Sequence, residues 1–206
     1  VLKKMGYDWA DEIHHVPFGL ITQGGKKLST RKGNVVFLDQ VLRDAVNLAK
    51  KQIQEKNPDL ADQDQVAHDV GVGAVVFHDL KNDRLDNFDF DLDEVVRFEG
   101  DTGPYVQYTN ARAQSVLRKA AAMGEKPSEG DFNINDDWAF AVAKDLADFP
   151  RIVARSAEKF EPSVIAKFAL DLAKKFNKYY ANVKILTKDD QIGARLALVP
   201  VSYTHL

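Results

Sequence analysis

The sequence contains no cysteine, which excludes a disulfide framework and thiolate chemistry. It also lacks a long hydrophobic run, since no apolar stretch approaches the roughly 20 residues that a membrane-spanning helix needs. What is present is a chain of 206 residues, 45% hydrophobic and 29% charged. This composition supports a real core, in one large domain or two small ones.

The charges nearly cancel, to a formal net charge of −3, but they are unevenly distributed. Asn57 to Asp101 holds 13 acidic and 3 basic residues, whereas Arg151 to Arg195 holds 10 basic and 5 acidic ones. Such an asymmetry marks either a surface that binds a polyanion or the solvated faces of helices, and charge alone does not decide between them.

The segment "QGGKKLSTRKGN", residues 23 to 34, combines three glycines and four cations with no acid. Its composition favours binding of an anion such as phosphate; the alternative is a flexible basic surface loop. A Walker-type phosphate loop requires G-x-x-x-x-G-K-[ST], but Leu20 and Lys27 occupy two of its four fixed positions. A G-x-G-x-x-G fingerprint is absent as well, so neither common nucleotide motif explains the loop.

Hydrophobic patterning predicts the elements of the first half. "HHVPFGLI", residues 14 to 21, predicts a strand that leads into the basic loop. Helical spacing predicts one helix that begins near Asp39 and another around Val66 to Leu80. In "NFDFDLDEVV" aromatic residues and aspartates alternate, which predicts a short half-exposed strand with solvated acids rather than a metal site.

The second half reads as helices only. "DTGP" predicts a helix start, with Asp101 or Thr102 as the cap and Pro104 in the first turn. Two regular, aromatic-rich stripes begin near Trp138 and Pro162 and predict two further helices. Together these patterns predict an antiparallel helix bundle.

Four separated segments resemble parts of one family. "KLSTRKGN" resembles the mobile KMSKS loop of class I aminoacyl-tRNA synthetases, and "HHVPFG" looks like the nucleotide-binding strand of the arginyl-tRNA synthetases. "FEGDTGPYVQYTNARAQSVLRKA" is similar to the start of that family's helical anticodon-binding domain, and "FNKYYANVKIL" to a later helix. The resemblance implies a mainly α fold, in which the end of a Rossmann-like class I catalytic domain precedes an α-helical bundle anticodon-binding domain.

The resemblance also implies a chemistry, arginine–tRNA ligation, in which ATP activates arginine and the product is transferred to tRNA-Arg. ATP is then a substrate, accompanied by Mg²⁺, and no tightly bound cofactor is expected. The implied catalytic residues lie on the basic loop: Lys27, Ser29, Thr30, Arg31 and Lys32. The second lysine of KMSKS falls on Thr30, and Arg31 or Lys32 is expected to compensate. The implied ATP-binding residues are His15, Val16, Phe18 and Gly19.

Aromatic, amide and cationic side chains form the candidate tRNA-binding set: Tyr105, Gln107, Tyr108, Asn110, Arg112, Tyr179 and Tyr180. Such side chains stack on bases and contact phosphates, but the two tyrosines of the first helix fit a helix interface equally well. The other two tyrosines are adjacent, so their side chains point about 100° apart on a helix. We therefore expect one of them to pack inside and the other to face outward.

The expected domains are the catalytic part at residues 1–100, the anticodon-binding domain at 101–199 and a non-native tail at 200–206, where Pro200 is expected to break a helix. The chain reads as a fragment that lacks the family's HIGH motif and its arginine pocket. We therefore expect it to be inactive alone. We expect the parent protein to be a cytoplasmic monomer that binds no membrane. The alternatives are a stand-alone tRNA-binding module without catalysis, or another class I synthetase such as the cysteinyl or methionyl enzyme.

Overall fold

The structure is a computed structural model that describes residues 1–27, 36–130 and 136–206. Most of this part of the chain is helical, which confirms the mainly α fold class. The longer helices are α1 Leu38–Lys56, α2 Gln63–Lys81, α4 Gly103–Ala122, α5 Asp137–Lys159, α6 Ser163–Asn182 and α7 Ile192–His205. A single helical turn, α3 Leu92–Val95, precedes α4, and two 3-10 helices occupy Leu2–Met5 and Asp8–Glu12.

One small sheet stands beside the helices of the first half. Its strands are β1 Ile21–Gln23, β2 Lys26–Lys27 and β3 Phe88–Asp89, in the spatial order β2-β1-β3. β1 runs antiparallel to β2 and parallel to β3. The sheet therefore joins the stem of the basic loop to a segment about 65 residues further along the chain.

The predicted strand over residues 14 to 21 is wrong except at Ile21, where β1 begins. The backbone of this segment is held by isolated groups instead of a strand ladder: Gly19 N donates to Arg84 O and Leu20 N donates to the side chain of Asn87. The second predicted strand is confirmed only at Phe88–Asp89. It ends early because the side chain of Asp91 caps α3.

The predicted helices of the first half are confirmed as α1 and α2, which pack closely against each other. Ala45 and Ala49 of α1 are fully buried, as is Ala74 of α2. A Cβ atom on Gly71 would lie 2.6 Å from the backbone nitrogen of Val46. This glycine therefore permits the close packing of the two helices.

The second half is the predicted bundle, with α5 packed on α6 and α4 packed on α7. Side chains cap two of these helices: Thr102 Oγ1 accepts from Tyr105 N at the start of α4, and Asp136 accepts from Ala139 N at the start of α5. The stripe predicted for α6 forms the centre of the core, where Leu172, Phe176 and Tyr179 are fully buried. No helix of residues 1–27, 36–130 and 136–206 is long and apolar enough to cross a membrane.

The expected break at Pro200 is wrong, because α7 continues through it to His205. A proline inside a helix removes one donor and strains the preceding turn, but packing offsets the loss. Ser202 is fully buried and donates to Leu198 O over 2.7 Å, and Tyr203 O accepts from Asn110 of α4 over 3.2 Å. That residues 200–206 are non-native stays a prediction.

Candidate nucleotide loop and nucleic-acid interface

The stem of the basic loop is a tight turn held by one carboxylate. Gly24 and Gly25 connect β1 to β2 with φ angles of 57° and 71°, values that favour glycine. Asp89 of β3 accepts from both turn amides, from Gly25 N over 2.9 Å and from Gly24 N over 3.1 Å. Its Oδ1 also accepts from the hydroxyl of Thr22 over 2.7 Å. Asp89 therefore fixes the turn from which the loop departs.

These hydrogen bonds hold the pKa of Asp89 below the ordinary aspartate value, with the amide of Gly25 as the largest cause and the hydroxyl of Thr22 next. The alternating pattern around Asp89 predicted only a solvated face, and sequence analysis missed this contact. A sequence signal is hard to name, because the partners lie about 65 residues upstream and nothing in the alternation distinguishes Asp89 from Asp91 or Asp93.

The predicted catalytic residues divide at the edge of the described chain. Lys27 ends β2, where its backbone lies opposite Thr22. Ser29, Thr30, Arg31 and Lys32 lie outside the described residues. Their contacts with ATP phosphates stay predictions.

The predicted ATP-binding residues lie on an open segment next to β1. His15 is exposed, Phe18 is 83% exposed and Val16 is 43% exposed. The backbone of Gly19 is held in place, since its amide donates to Arg84 O over 2.6 Å. The segment thus presents backbone and an apolar ring on its open side, the kind of surface that an adenine can pack against.

His78 is not part of this surface. Its ring packs in an edge-on geometry against the rings of Phe88 and Phe90, at centroid distances of 5.4 and 5.6 Å. Burial lowers the pKa of His78 to about 4, and the nearby charge of Lys81 adds to the effect. The imidazole is therefore neutral near pH 7 and supports the packing beneath the sheet. Among the described residues no cluster of histidine and acidic side chains could hold a metal ion.

A groove on the bundle brings three predicted tRNA-binding residues together. It has a volume of about 650 Å³ and is lined by residues of α4, the end of α6 and the segment after α6. The guanidinium of Arg112 lies between two tyrosine rings, 4.9 Å from the centroid of Tyr108 and 5.0 Å from that of Tyr180. Lys119 and Lys184 also line the groove, which gives it cations beside aromatic faces.

Asn177 of α6 holds Arg112 in place. Its Oδ1 accepts from Arg112 Nη1, and its Nδ2 donates to Tyr105 Oη over 3.0 Å and to Thr109 Oγ1 over 2.8 Å. Sequence analysis missed Asn177, since an amide in a helix carries no signal of its own. These hydrogen bonds hold the guanidinium of Arg112 beside the rings of Tyr108 and Tyr180 before any ligand binds.

The other candidates of the tRNA-binding set face inward. Tyr179 is fully buried, and its hydroxyl donates to Arg195 O over 3.0 Å; burial raises its pKa. Gln107 donates to Asp69 O over 3.0 Å, and Asn110 donates to Tyr203 O over 3.2 Å. Of the adjacent tyrosines, Tyr180 is thus the outward one, as the spacing predicts, with 40% of it exposed.

Two lysines near Tyr180 in sequence are already paired with acids. Lys174 bonds Asp101 over 2.6 Å and Lys175 bonds Asp145 over 2.5 Å. Lys178 is exposed. These two ion pairs partly neutralise the positive charge of α6. The cations that can bind an anion are those that line the groove beside Arg112.

Two protein-family models match successive parts of the chain. Residues 1–92 match the catalytic domain of class I tRNA synthetases of the arginine type, and residues 106–204 match the DALR anticodon binding domain. Among curated relatives, the arginine–tRNA ligase of Lactobacillus johnsonii is 77% identical over 97% of this chain and that of Latilactobacillus sakei is 66% identical over the same share. The chain spans about a third (35%) of the length of each of these relatives.

Two solved structures are similar over most of the chain. The Thermus thermophilus arginyl-tRNA synthetase superposes with a TM-score of 0.82 at 35% identity, covering 95% of this chain and 33% of that one. The Plasmodium falciparum arginyl-tRNA synthetase shares the fold, with a TM-score of 0.74 at 21% identity, covering 92% of this chain and 32% of that one. The chain therefore belongs to the arginyl-tRNA synthetase family, with the end of a class I catalytic domain followed by an anticodon-binding domain.

Proposed function

We propose that the protein acts as an arginine–tRNA ligase, with ATP, arginine and tRNA-Arg as its substrates. The observation that carries the proposal is the groove in which Arg112 lies between the rings of Tyr108 and Tyr180. Aromatic faces stack on unpaired bases and a cation offsets phosphate charge, so this surface suits a single-stranded loop of RNA. Family membership supports arginine as the amino acid.

The basic loop supplies the other half of the proposal. When ATP reacts with arginine, charge builds on the departing pyrophosphate, and cations on a loop that closes late stabilise the transition state more than the ground state. Lys27 and Ser29 would contact the phosphates, with Arg31 or Lys32 in place of the second lysine of KMSKS. Mg²⁺ would enter with ATP as part of the substrate. Asp89 would hold Gly24 and Gly25, the glycines that we propose as hinges at the base of the loop.

The segment from Val16 to Gly19 would receive the adenine. Phe18 offers an exposed ring and the backbone beside it is fixed by Arg84 and Asn87. The proposal includes a cytoplasmic location, where translation consumes the product, and a monomeric enzyme.

Pyrophosphate exchange tests the catalytic half. In the complete ligase carrying these residues, Lys27→Ala should lower arginine-dependent exchange of pyrophosphate into ATP by about 100-fold or more, as expected for loss of a transition-state contact. Lys51→Ala, a substitution at an exposed position of α1, is the matched control and should leave the rate unchanged. A normal exchange rate in Lys27→Ala would remove the residue from the mechanism.

Binding of the 206-residue chain to tRNA tests the RNA half. Its affinity for tRNA-Arg is compared with that for a non-cognate tRNA at two salt concentrations. A preference that survives at the higher salt supports recognition by the groove, because contacts to phosphates alone weaken steeply with salt. Equal and salt-sensitive binding of both tRNAs would show that only general electrostatic attraction operates. A third outcome is that the chain binds tRNA-Arg specifically but the complete protein shows no pyrophosphate exchange. That result would favour a stand-alone tRNA-binding module.

A further inference from the structure

Arg84 joins two parts of the molecule that are remote in sequence. It lies between α2 and β3, and its guanidinium donates to Pro17 O over 2.6 Å on one side. On the other side it donates to Phe160 O over 2.9 Å and to Lys159 O over 3.3 Å. The first carbonyl belongs to the proposed adenine segment, and the other two belong to the end of α5 and the turn that follows it in the bundle.

The charge of Arg84 is matched by a buried acid. Glu161, whose side chain is 9% exposed, lies with Oε2 3.8 Å from Arg84 Nε, and the Arg84 side chain is 22% exposed. The Arg84 amide also points at Oε2, over 3.4 Å. Partial burial weakens solvent screening of such a pair, so removal of either partner leaves the other charge poorly compensated.

We call this arrangement, in which Arg84 connects the two segments, the Arg84 clamp. Hydrogen bonds hold both of its ends in place. On the bundle side, Glu161 Oε1 accepts from Ser163 N over 3.2 Å and Glu161 O accepts from the hydroxyl of Ser156 over 2.8 Å. On the other side, Gly19 N donates to Arg84 O over 2.6 Å. A Cβ atom on Gly19 would lie 2.0 Å from Asp86 O, so the backbone of the segment rests directly on the turn that carries Arg84.

Only an arginine has the shape for this position. The guanidinium presents five N–H groups in one plane, and three of its nitrogens reach carbonyls on opposite sides of the residue. A lysine ammonium is a compact point charge on a flexible stem and does not reproduce the fork. Arg84 is thus suited to hold two backbone segments at a fixed separation.

We propose that Arg84 is a positioning residue, which fixes the adenine segment against the turn between α5 and α6 and so makes ATP binding depend on the anticodon-binding bundle. This inference rests on the proposed function, since it takes the segment from Val16 to Gly19 as the nucleotide contact. Arg84 touches no reacting atom by this account. Its effect on ATP passes through the backbone of Pro17 and Gly19.

Two variants test the clamp from opposite ends. In the complete ligase, Arg84→Gln should raise the KM for ATP in pyrophosphate exchange by about tenfold, while kcat stays within about twofold, because the loop that contacts the phosphates is untouched. Glu161→Gln lies in the bundle, yet it should raise the same KM in the same direction. Arg84→Lys should behave like Arg84→Gln, and Arg43→Gln, which removes an exposed ion pair with Asp39 on α1, should change neither constant.

A second measurement separates the clamp from the proposed function. Amide hydrogen exchange of Gly19 and Leu20, followed in the 206-residue chain, should be faster in Arg84→Gln than in the unsubstituted chain and unchanged in Arg43→Gln. Unchanged exchange at these amides would overturn the clamp, whatever the activity. Faster exchange with an unchanged KM for ATP would overturn its role in nucleotide binding. A complete protein that lacks pyrophosphate exchange before substitution, with tRNA-Arg present in the assay, would contradict the proposed function and not the clamp.

Discussion

Arg112 lies over the ring of Tyr180, with its guanidinium carbon 5.0 Å from the ring centroid, although the two residues belong to different helices, α4 and α6. The contact ties the opening of the groove to the packing of the two helices. Asn177 also accepts a hydrogen bond from Arg112, so the cation is already oriented in the chain alone. Ordering it in advance lowers the entropy cost of binding.

Loss of the Tyr180 ring should weaken RNA binding. Tyr180→Ala removes a stacking surface and one wall of the sandwich, and we expect the 206-residue chain to lose about 1–3 kcal/mol of binding free energy for tRNA-Arg, the range for one stacked base. Tyr180→Phe keeps the ring and should retain most of the affinity. Fluorescence anisotropy with labelled tRNA measures both. Phe140→Ala removes another exposed aromatic ring, on α5, and an equal loss in that control would contradict a specific role for Tyr180.

Tyr179, beside it, should affect stability instead. Tyr179→Phe leaves the ring in the core but deletes the hydroxyl that donates to Arg195 O, so a buried acceptor loses its partner at a cost of about 1–3 kcal/mol. Urea unfolding of the 206-residue chain should show this loss in the free energy of unfolding. Affinity for tRNA-Arg should stay unchanged at a temperature where the variant is folded. A drop in affinity without a drop in stability would mean that Tyr179 contacts RNA after all.

Helix α2 provides a matched pair of glycines, Gly71 against α1 and Gly73 against α4. A Cβ atom in Gly71→Ala would lie 2.6 Å from Val46 N and 2.7 Å from Val46 Cα, and backbone atoms can move aside only if the helices separate. Overpacking of this kind costs about 1–3 kcal/mol, visible in the midpoint of thermal or urea unfolding.

Gly73→Ala is the control for that substitution. Its Cβ would meet the amide end of Gln107, 2.6 Å from Nε2. This flexible end can turn away, at a cost of about 1 kcal/mol for its hydrogen bond to Asp69 O. Alanine is also the better helix former, by about 1 kcal/mol. Gly73→Ala should therefore be near neutral. Equal destabilisation by the two substitutions would contradict the distinction between backbone and side-chain neighbours.

The sequence predicted five of the six longer helices of the described chain, because each of the five carries a regular apolar stripe; α7 was not predicted. Eight apolar positions from Val164 to Leu186 follow the period of α6 and its continuation, and tertiary packing reinforces that period. The same regularity placed Tyr179 and Tyr180 on different faces. Local signals sufficed there, since each helix carries its own pattern.

Local signals failed where the structure depends on distant single contacts. The segment from residue 14 to residue 20 looked like a strand, but its backbone bonds go to Arg84 and Asn87, more than 60 residues later in the chain. Pro200 looked like a helix end, but α7 continues to His205, and Asn110 of α4 donates to Tyr203 O beyond the proline. In both cases the deciding partner is one group in another element, which no periodicity announces.

The anchoring of the loop stem should depend on pH through Asp89. Its carboxylate accepts from Gly24 N, Gly25 N and the hydroxyl of Thr22, and these bonds hold its pKa in the folded chain below the ordinary value. A group whose pKa is lowered by folding stabilises the fold above its unfolded pKa. That contribution is lost as the pH falls through the folded pKa, below about pH 4 for an aspartate.

Amide resonances report this directly. In the ¹⁵N-labelled 206-residue chain, the amides of Gly24 and Gly25 should shift together as the pH falls below about 4, with a midpoint below that of an unperturbed aspartate. Asp89→Asn keeps one acceptor oxygen but places an NH₂ group where Oδ1 or Oδ2 accepted. It should therefore abolish the transition and speed hydrogen exchange at both amides near pH 7. Asp59→Asn, in the exposed loop between α1 and α2, should preserve both properties. Gly24 and Gly25 amides that titrate unchanged in Asp89→Asn would show that another acid anchors the stem, and the loop would then have to be positioned from a different part of the sheet.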